Sequence, residues 1–89
     1  MKIAEVARVH GRGVCNHAYK TGISVAASIH FLAAISNAVV LEYSVSASPL
    51  RNETTVEKFP VVNGYVDVPQ TPGLGVTLNM NTVEKYRQK

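Results

Sequence analysis

Two titratable side chains stand at the ends of short apolar runs in this sequence. His17 follows the run "VCN", and Glu42 comes near the end of the run "AVVLEY". A histidine can take up or release a proton near neutral pH, and a carboxyl group beside it can share charge. If the two runs are neighbouring parallel strands, about 4.8 Å apart, both groups can face one pocket. The pair predicts an acid–base site, and a purely structural histidine at a strand end is the alternative.

The elements that must position this pair follow the order helix, strand, helix, strand. Apolar side chains at helical spacing predict an amphipathic helix over Lys2–His10. Val14–Asn16 and Val39–Tyr43 are predicted as buried strands, and the alanine-rich range Ile23–Ser36 as a helix buried on most sides. Strands that are apolar throughout and alternate with helices are typical of a parallel sheet, so the predicted fold class is α/β.

Residues 44–89 differ in character and are predicted to form a C-terminal extension of the segment 1–43. Asn63-Gly64 lies between two short β-rich runs, which predicts a β-hairpin over residues 59–68. Asn81 with Glu84 three residues later has the spacing of a capping box, which predicts a short final helix, Thr82–Gln88.

Composition excludes several classes of protein. The chain has 89 residues, one cysteine and a formal charge of +3. No apolar run approaches the roughly 20 residues that cross a bilayer, and the N-terminus lacks the apolar core of a signal peptide. The basic residues form no stripe with interleaved aromatics, as a nucleic-acid surface would require. We therefore expect a soluble, cytoplasmic protein that binds neither membranes nor nucleic acid.

The predicted elements do not complete a fold. Two parallel strands and one crossover helix leave most strand faces without partners, and a sheet of two strands is marginal in water. The sequence therefore predicts one part of a larger structure.

Several strings in the sequence are similar to a known family. "NHAYKTGISVAASIHFLAAISNAVVLEY", then "PLRNE", "GYVDVPQTPGLGV" and "VEKYR" occur in this order. Together they resemble the C-terminal part of the mandelate racemase branch (mandelate racemase/muconate lactonizing enzyme-like, acid-sugar dehydratase type) of the enolase superfamily. The resemblance implies that the chain supplies the last two βα units of a modified TIM barrel, an incomplete barrel followed by the hairpin and short helix.

The resemblance also implies roles for individual residues. Family members remove the proton α to a carboxylate with the help of Mg²⁺ and a Lys or His base. His17 matches the family's catalytic histidine, a general base or general acid. Glu42 matches the glutamate that bonds a substrate carboxylate oxygen; to donate that bond it must be protonated, which burial would favour.

Three further residues are assigned to substrate binding. Lys20 on the loop after His17 is expected to pair with an anionic substrate, with a solvated loop lysine as the alternative, and Asn16 and Tyr19 flank the histidine. The carboxylates that hold Mg²⁺ in this family belong to earlier strands, so no metal site is expected in this chain.

Two hypotheses follow for function. The first is the C-terminal part of an acid-sugar dehydratase or racemase, inactive as an isolated chain. The second is a non-catalytic fragment that self-associates as a homo-oligomer, or docks onto a complementary chain that carries the rest of the barrel.

Overall fold

The structure is a computed structural model that describes residues 1–88. In chain order the elements are α1 (Lys2–Val9), β1 (His17–Ala18), α2 (Gly22–Ala33), β2 (Glu42–Tyr43), α3 (Pro49–Glu53) and α4 (Met80–Lys85). Lys89, the last residue of the predicted extension, lies outside the described residues.

The sheet consists of β1 and β2, which pair in parallel. His17 lies opposite Glu42, and Ala18 lies opposite Tyr43. Ahead of this pair, an isolated bridge joins the two segments between Val14 and Ala38. The predicted strand Val14–Asn16 is therefore wrong in its bounds, since regular pairing begins at His17, and the second strand is shorter than Val39–Tyr43. A sheet of two strands has no second neighbour to extend its ladder, which keeps the pairing short.

Helix α2 lies over the sheet and carries most of the buried apolar side chains. Thr21 begins the helix, because its Oγ1 accepts a hydrogen bond from the Ser24 N–H at 3.2 Å. The buried side chains occupy one face: Val25, Ala26, Ile29 and Leu32. Ile23, Ala27 and Ala33 are exposed, so the expected burial on most sides is limited to one side. No helix within residues 1–88 is long and apolar enough to cross a membrane.

The helix predicted at the N-terminus is present as α1, but its apolar face is not buried. The side chain of Asn37 holds the helix by donating hydrogen bonds to the backbone oxygens of Ala4 at 3.0 Å and Arg12 at 2.9 Å. Ala4 is buried, whereas Ile3 is 84% exposed and Val6 is 60% exposed. The face predicted to be buried therefore points into solvent.

The predicted hairpin is present as a turn with little strand pairing. Asn63 and Gly64 have positive φ values of 50° and 82°, as a two-residue hairpin turn of the primed type requires. Val62 and Tyr65 exchange two backbone hydrogen bonds, at 2.8 and 2.9 Å. This is the one bridge described between residues 59 and 68, so the predicted hairpin is confined to its turn.

The final helix begins earlier than predicted. Helix α4 spans Met80–Lys85 with Asn79 as its N-cap residue, and no side chain caps it. The predicted range Thr82–Gln88 and its capping box are therefore wrong. The Asn79 N–H donates to the Thr54 oxygen at 3.0 Å and Thr82 is buried, so tertiary contacts decide where the helix begins.

The C-terminal extension packs on the first half of the chain through α3, which was not predicted. Pro49 stands at the start of α3, where its missing N–H costs nothing. The Arg51 guanidinium lies 4.7 Å from the centre of the Tyr43 ring. The Tyr43 hydroxyl donates to the Phe59 oxygen at 2.6 Å. These contacts join β2 to α3 and to the segment that follows it.

Candidate active site

The paired strands bring the two predicted catalytic residues into direct contact. His17 and Glu42 are opposite each other in the register, so their side chains leave the sheet on the same face. Nδ1 of His17 lies 3.0 Å from Oε2 of Glu42. The structure therefore brings these two side chains together, and their role as a site stays a prediction.

The contact determines which ring nitrogen of His17 is available. An ionised carboxylate can only accept hydrogen bonds, so Nδ1 of His17 is the donor in this contact. A carboxylate that accepts from Nδ1–H holds the neutral ring in the tautomer whose Nε2 carries the lone pair. Nε2 of His17 is then the atom that can accept a proton from a substrate.

Tyr19 joins the same cluster from the opposite side. Its ring stacks on the imidazole of His17, with ring centres 4.2 Å apart and planes inclined by 14°. Its hydroxyl donates a hydrogen bond to Oε1 of Glu42 at 3.2 Å. This hydrogen bond, together with the repulsion between the carboxylate and a phenolate, raises the pKa of Tyr19. Both carboxylate oxygens of Glu42 therefore have a partner.

The other two predicted substrate contacts lie on either side of this cluster. The Asn16 amide donates to Ser28 Oγ on α2, and its Oδ1 is buried without a partner among the described residues. Lys20 is exposed on the loop between β1 and α2. Both positions border the site, and their contact with a substrate stays a prediction.

The site is open to solvent. The side chain of His17 is 72% exposed and that of Glu42 is 42% exposed. The burial expected to favour a protonated Glu42 is therefore absent, and both of its oxygens lie within reach of donors, Tyr19 Oη and His17 Nδ1. The strands β1 and β2 have no further neighbours within residues 1–88 that could cover this face.

Metal-ligating side chains do not gather in the described part of the chain. Residues 1–88 contain no group of three or more His, Cys, Asp or Glu side chains that could hold an ion. Octahedral Mg²⁺ needs several oxygen ligands in a fixed geometry. The described residues therefore do not fit a Mg²⁺ site.

Sequence reasoning missed the contacts of Tyr19, which it assigned to substrate binding. A signal was available, because residues two apart on an extended segment project to the same face. The spacing between His17 and Tyr19 therefore places their rings side by side. The bond from Tyr19 to Glu42 depends on the strand register, which the sequence does not show.

Comparison with known proteins covers nearly the whole chain. The family described as enolase C-terminal domain-like matches residues 1–82. D-galactarolactone cycloisomerase of Agrobacterium fabrum is 32% identical over 94 residues, covering 97% of this chain and 25% of that protein. Arabinonate dehydratase of Saccharolobus solfataricus is 34% identical over 89 residues, covering 100% of this chain and 24% of that protein. The crystal structure of 3,6-anhydro-D-galactonate cycloisomerase from Zobellia galactanivorans matches with a TM-score of 0.87 at 34% identity, covering 99% of this chain and 25% of that one.

These matches and the α/β arrangement define the class of protein as an enolase-type C-terminal domain. Within that class, the chain belongs to the mandelate racemase branch of the enolase superfamily, as its sequence motifs predicted. It spans about a quarter of the length of the relatives it matches.

Proposed function

We propose that this chain is the C-terminal part of an enzyme that removes the proton α to the carboxylate of an acid sugar, in a dehydratase or racemase reaction. The observation that carries the proposal is the contact between His17 Nδ1 and Glu42 Oε2, 3.0 Å apart on paired parallel strands. The names of two relatives, an arabinonate dehydratase and a D-galactarolactone cycloisomerase, support the choice of acid sugars.

His17 acts first as the general base. Its Nε2 takes the α-proton while the electrons of the broken C–H bond move into the substrate carboxylate, forming an enediolate. The imidazolium that forms is stabilised by Glu42 at Nδ1. In a dehydratase the same Nε2–H then protonates the β-hydroxyl, which leaves as water. In a racemase it returns the proton to carbon.

Lys20 and Asn16 are proposed to hold the substrate beside this pair. Lys20 carries a full positive charge on the loop that follows β1, so it attracts an anionic acid sugar. Asn16 directly precedes His17, and its proposed contact with the substrate rests on that position in the sequence. Tyr19, whose ring stacks on His17, is proposed as a third substrate contact.

We further propose that the pair belongs to the last two βα units of a modified TIM barrel. In the intact enzymes of the family, Mg²⁺ and its carboxylate ligands come from strands that these 89 residues do not include. The metal supplies positive charge that stabilises the enediolate. We therefore expect the isolated chain to be inactive.

The proposal can be tested by hydrogen exchange at the α-carbon. Aldonic and aldaric acids are incubated in D₂O with Mg²⁺ and this chain, alone or mixed with the part of arabinonate dehydratase that precedes the matched region. Loss of the α-proton signal is followed by NMR. We expect no exchange with the chain alone and exchange with the mixture.

Variants separate His17 from the other histidines. His17→Gln should lower exchange by at least about 100-fold, the lower range of general acid–base catalysis. His10→Gln is the matched control, because His10 is exposed at the end of α1, and it should leave the rate unchanged. Equal rates for the two variants would show that His17 is not the base.

A second candidate function is favoured by the exposed apolar side chains. Ile3 and Val6 on α1 are 84% and 60% exposed, and Val39 and Val40 are 70% and 58% exposed. These side chains, which we call the uncovered apolar face, suit a complementary chain that carries the remaining barrel, because the matched relatives are about four times longer. The chain would then be a non-catalytic docking fragment.

Light scattering coupled to size exclusion distinguishes these possibilities. Docking predicts a 1:1 complex with the complementary barrel chain that shows no activity. If the chain alone formed a homo-oligomer, this would indicate self-association instead. If it stayed monomeric and did not bind the barrel chain, docking would be ruled out.

Three sequence-based expectations stay predictions: a cytoplasmic location, no binding to nucleic acid or membranes, and a boundary between a segment 1–43 and an extension 44–89. Salt-dependent binding to DNA or RNA would contradict the second.

A further inference from the structure

We propose that Asn63 is a site of spontaneous deamidation, at which the backbone nitrogen of Gly64 attacks the side-chain amide and the amide becomes a carboxyl group. Asparagine is one of the thermolabile residues of proteins, and a following glycine leaves its side chain the most room to react. The inference does not rest on the proposed function, because the hairpin turn contributes no residue to the candidate active site.

Both reacting groups of the turn are free. The side chain of Asn63 and the N–H of Gly64 take part in no hydrogen bond among residues 1–88. A Cβ built on Gly64 would meet no atom of these residues within 4 Å. Nothing in the described part of the chain therefore obstructs the approach of Asn63 Cγ to the Gly64 nitrogen.

The turn is closed by contacts that a local opening can break. Asn63 has a φ of 50°, and its carbonyl group must rotate out of this left-handed conformation before Cγ can reach the Gly64 nitrogen. Val62 and Tyr65 hold the turn with two backbone hydrogen bonds, and no other bridge is described between residues 59 and 68. A segment with so few hydrogen bonds opens without unfolding of the rest. The reaction therefore proceeds from the opened turn.

The reaction is balanced with water and hydroxide as its co-reactants. Hydroxide removes the proton of the Gly64 N–H, and the nitrogen then bonds to Asn63 Cγ. The bond from Cγ to Nδ2 breaks, and the leaving nitrogen takes a proton from water and departs as ammonia. Water opens the resulting succinimide either at Cγ, which gives aspartate, or at the backbone carbonyl, which gives isoaspartate with one more carbon in the main chain. Either product lowers the formal charge of +3 by one.

The other asparagines lack this combination of features. Three of them have side-chain amides that donate hydrogen bonds: Asn16, Asn37 and Asn52. The remaining two, Asn79 and Asn81, both precede residues that carry a side chain, and Asn81 lies inside α4. They serve as controls within the same molecule, because neither side chain caps the helix.

Incubation of the full chain at neutral and at mildly alkaline pH tests the proposal. Peptide mapping by mass spectrometry locates each amide that has become a carboxyl group. A protein isoaspartyl methyltransferase with labelled S-adenosylmethionine detects isoaspartate. We expect conversion at Asn63 ahead of Asn79 and Asn81, faster at the higher pH, with isoaspartate among the products. Conversion no faster at Asn63 than at these two asparagines, or aspartate without isoaspartate, would overturn the proposal.

Two glycine variants test whether the Gly64 nitrogen is the attacking group. Gly64→Ala places a Cβ beside that nitrogen and should slow conversion at Asn63, even though it strains the turn and favours its opening. Gly73→Ala is the matched control and should leave the rate unchanged, because Gly73 also has a positive φ, of 72°, and open space around its Cβ position. Equal rates in Gly64→Ala and wild type, or equal slowing in both variants, would refute attack by Gly64.

Discussion

Hydrogen bonds between single residues tie together segments that are far apart in this chain. His17 reaches Glu42 across 25 positions, and Glu57 reaches Thr77 across 20. Glu57 Oε2 accepts from the Thr77 N–H at 2.7 Å, and Oε1 accepts from the Thr77 hydroxyl at 2.9 Å. Hydrogen bonds to an ionised carboxylate are stronger than those between neutral groups, so each of these pairs can hold a loop in place.

The Glu57–Thr77 link should weaken in acid. The Thr77 N–H lowers the pKa of Glu57 below its ordinary value of 4.5. A carboxyl group whose pKa is lowered by folding adds stability that is fully present above pH 4.5 and is lost as the pH falls through the lowered value. Protection of the Thr77 amide from hydrogen exchange, corrected for the intrinsic rate, should therefore fall in that pH range.

The variant Glu57→Gln serves as the test of that mechanism. It should remove the pH dependence of Thr77 protection, whereas Glu53→Gln, an exposed position on α3, should leave it in place. Protection that falls equally in wild type and Glu57→Gln would assign the pH dependence to another group.

At the scale of elements, the start of α2 rests on the C-terminal extension. The Gly22 N–H donates to Thr54 Oγ1 at 3.2 Å, across 32 positions. A Cβ added at Gly22 would clash with Thr55 Oγ1 and would lie 3.0 Å from Thr55 Cγ2. The glycine therefore permits close packing of α2 against the segment after α3.

Gly22→Ala should lower the free energy of unfolding by about 1–3 kcal/mol, the usual cost of an inserted methyl in a packed site. Urea unfolding measures the change. Thr55→Ala removes the two nearest atoms that the new Cβ would meet, so Gly22→Ala should cost less in the Thr55→Ala background. Equal costs in the two backgrounds would mean that the contact with Thr55 does not explain the glycine.

The Asn63–Gly64 turn allows a local prediction. Gly64 has a φ of 82°, and a residue with a Cβ there costs about 1–2 kcal/mol. Gly64→Ala should therefore speed amide exchange at Val62 and Tyr65, whose N–H groups close the turn. Asn63→Gly is the control, because glycine also adopts a positive φ. If amide exchange in Asn63→Gly were as fast as in Gly64→Ala, the conformational explanation would be refuted.

At the scale of the whole molecule, the chain is more open than its length requires. Its radius of gyration is 14.5 Å, where a compact domain of this length has about 12 Å. Its accessible surface is 6500 Å², where a compact protein of this mass has about 5,100 Å². The buried apolar side chains among residues 1–88 are few and half of them are alanines: Ala4, Ala18, Val25, Ala26, Ile29 and Leu32. Much apolar surface is therefore left uncovered.

That surface should drive association with apolar partners. The double variant Ile3→Lys, Val6→Lys places charges on the uncovered apolar face and should weaken binding to the complementary barrel chain by at least about tenfold, as burying an unpaired charge is costly. Light scattering across a dilution series measures this. Val45→Lys is the control, since Val45 is 94% exposed and lies outside that face. If Val45→Lys weakened binding as much as the double variant does, a role for α1 would be refuted.

Much of the candidate site was predictable from local patterns. The apolar runs that precede His17 and contain Glu42 indicated two neighbouring strands, and the Asn63–Gly64 pair indicated its turn. The predictions that failed have a common physical cause. Strand bounds, the exposed face of α1 and the start of α4 at Met80 depend on which neighbours are available to pair or pack with, and no local pattern contains that information.

The sequence by itself determined the family and the α/β class, and it predicted that His17 and Glu42 face one pocket, because residue types and their order are enough for these conclusions. Only the tertiary structure decided the register that places His17 opposite Glu42, the stacking of Tyr19 and the openness of the site. Contacts across 23 and 25 positions depend on how the strands align, and a shift of one residue would turn these side chains to the other face of the sheet.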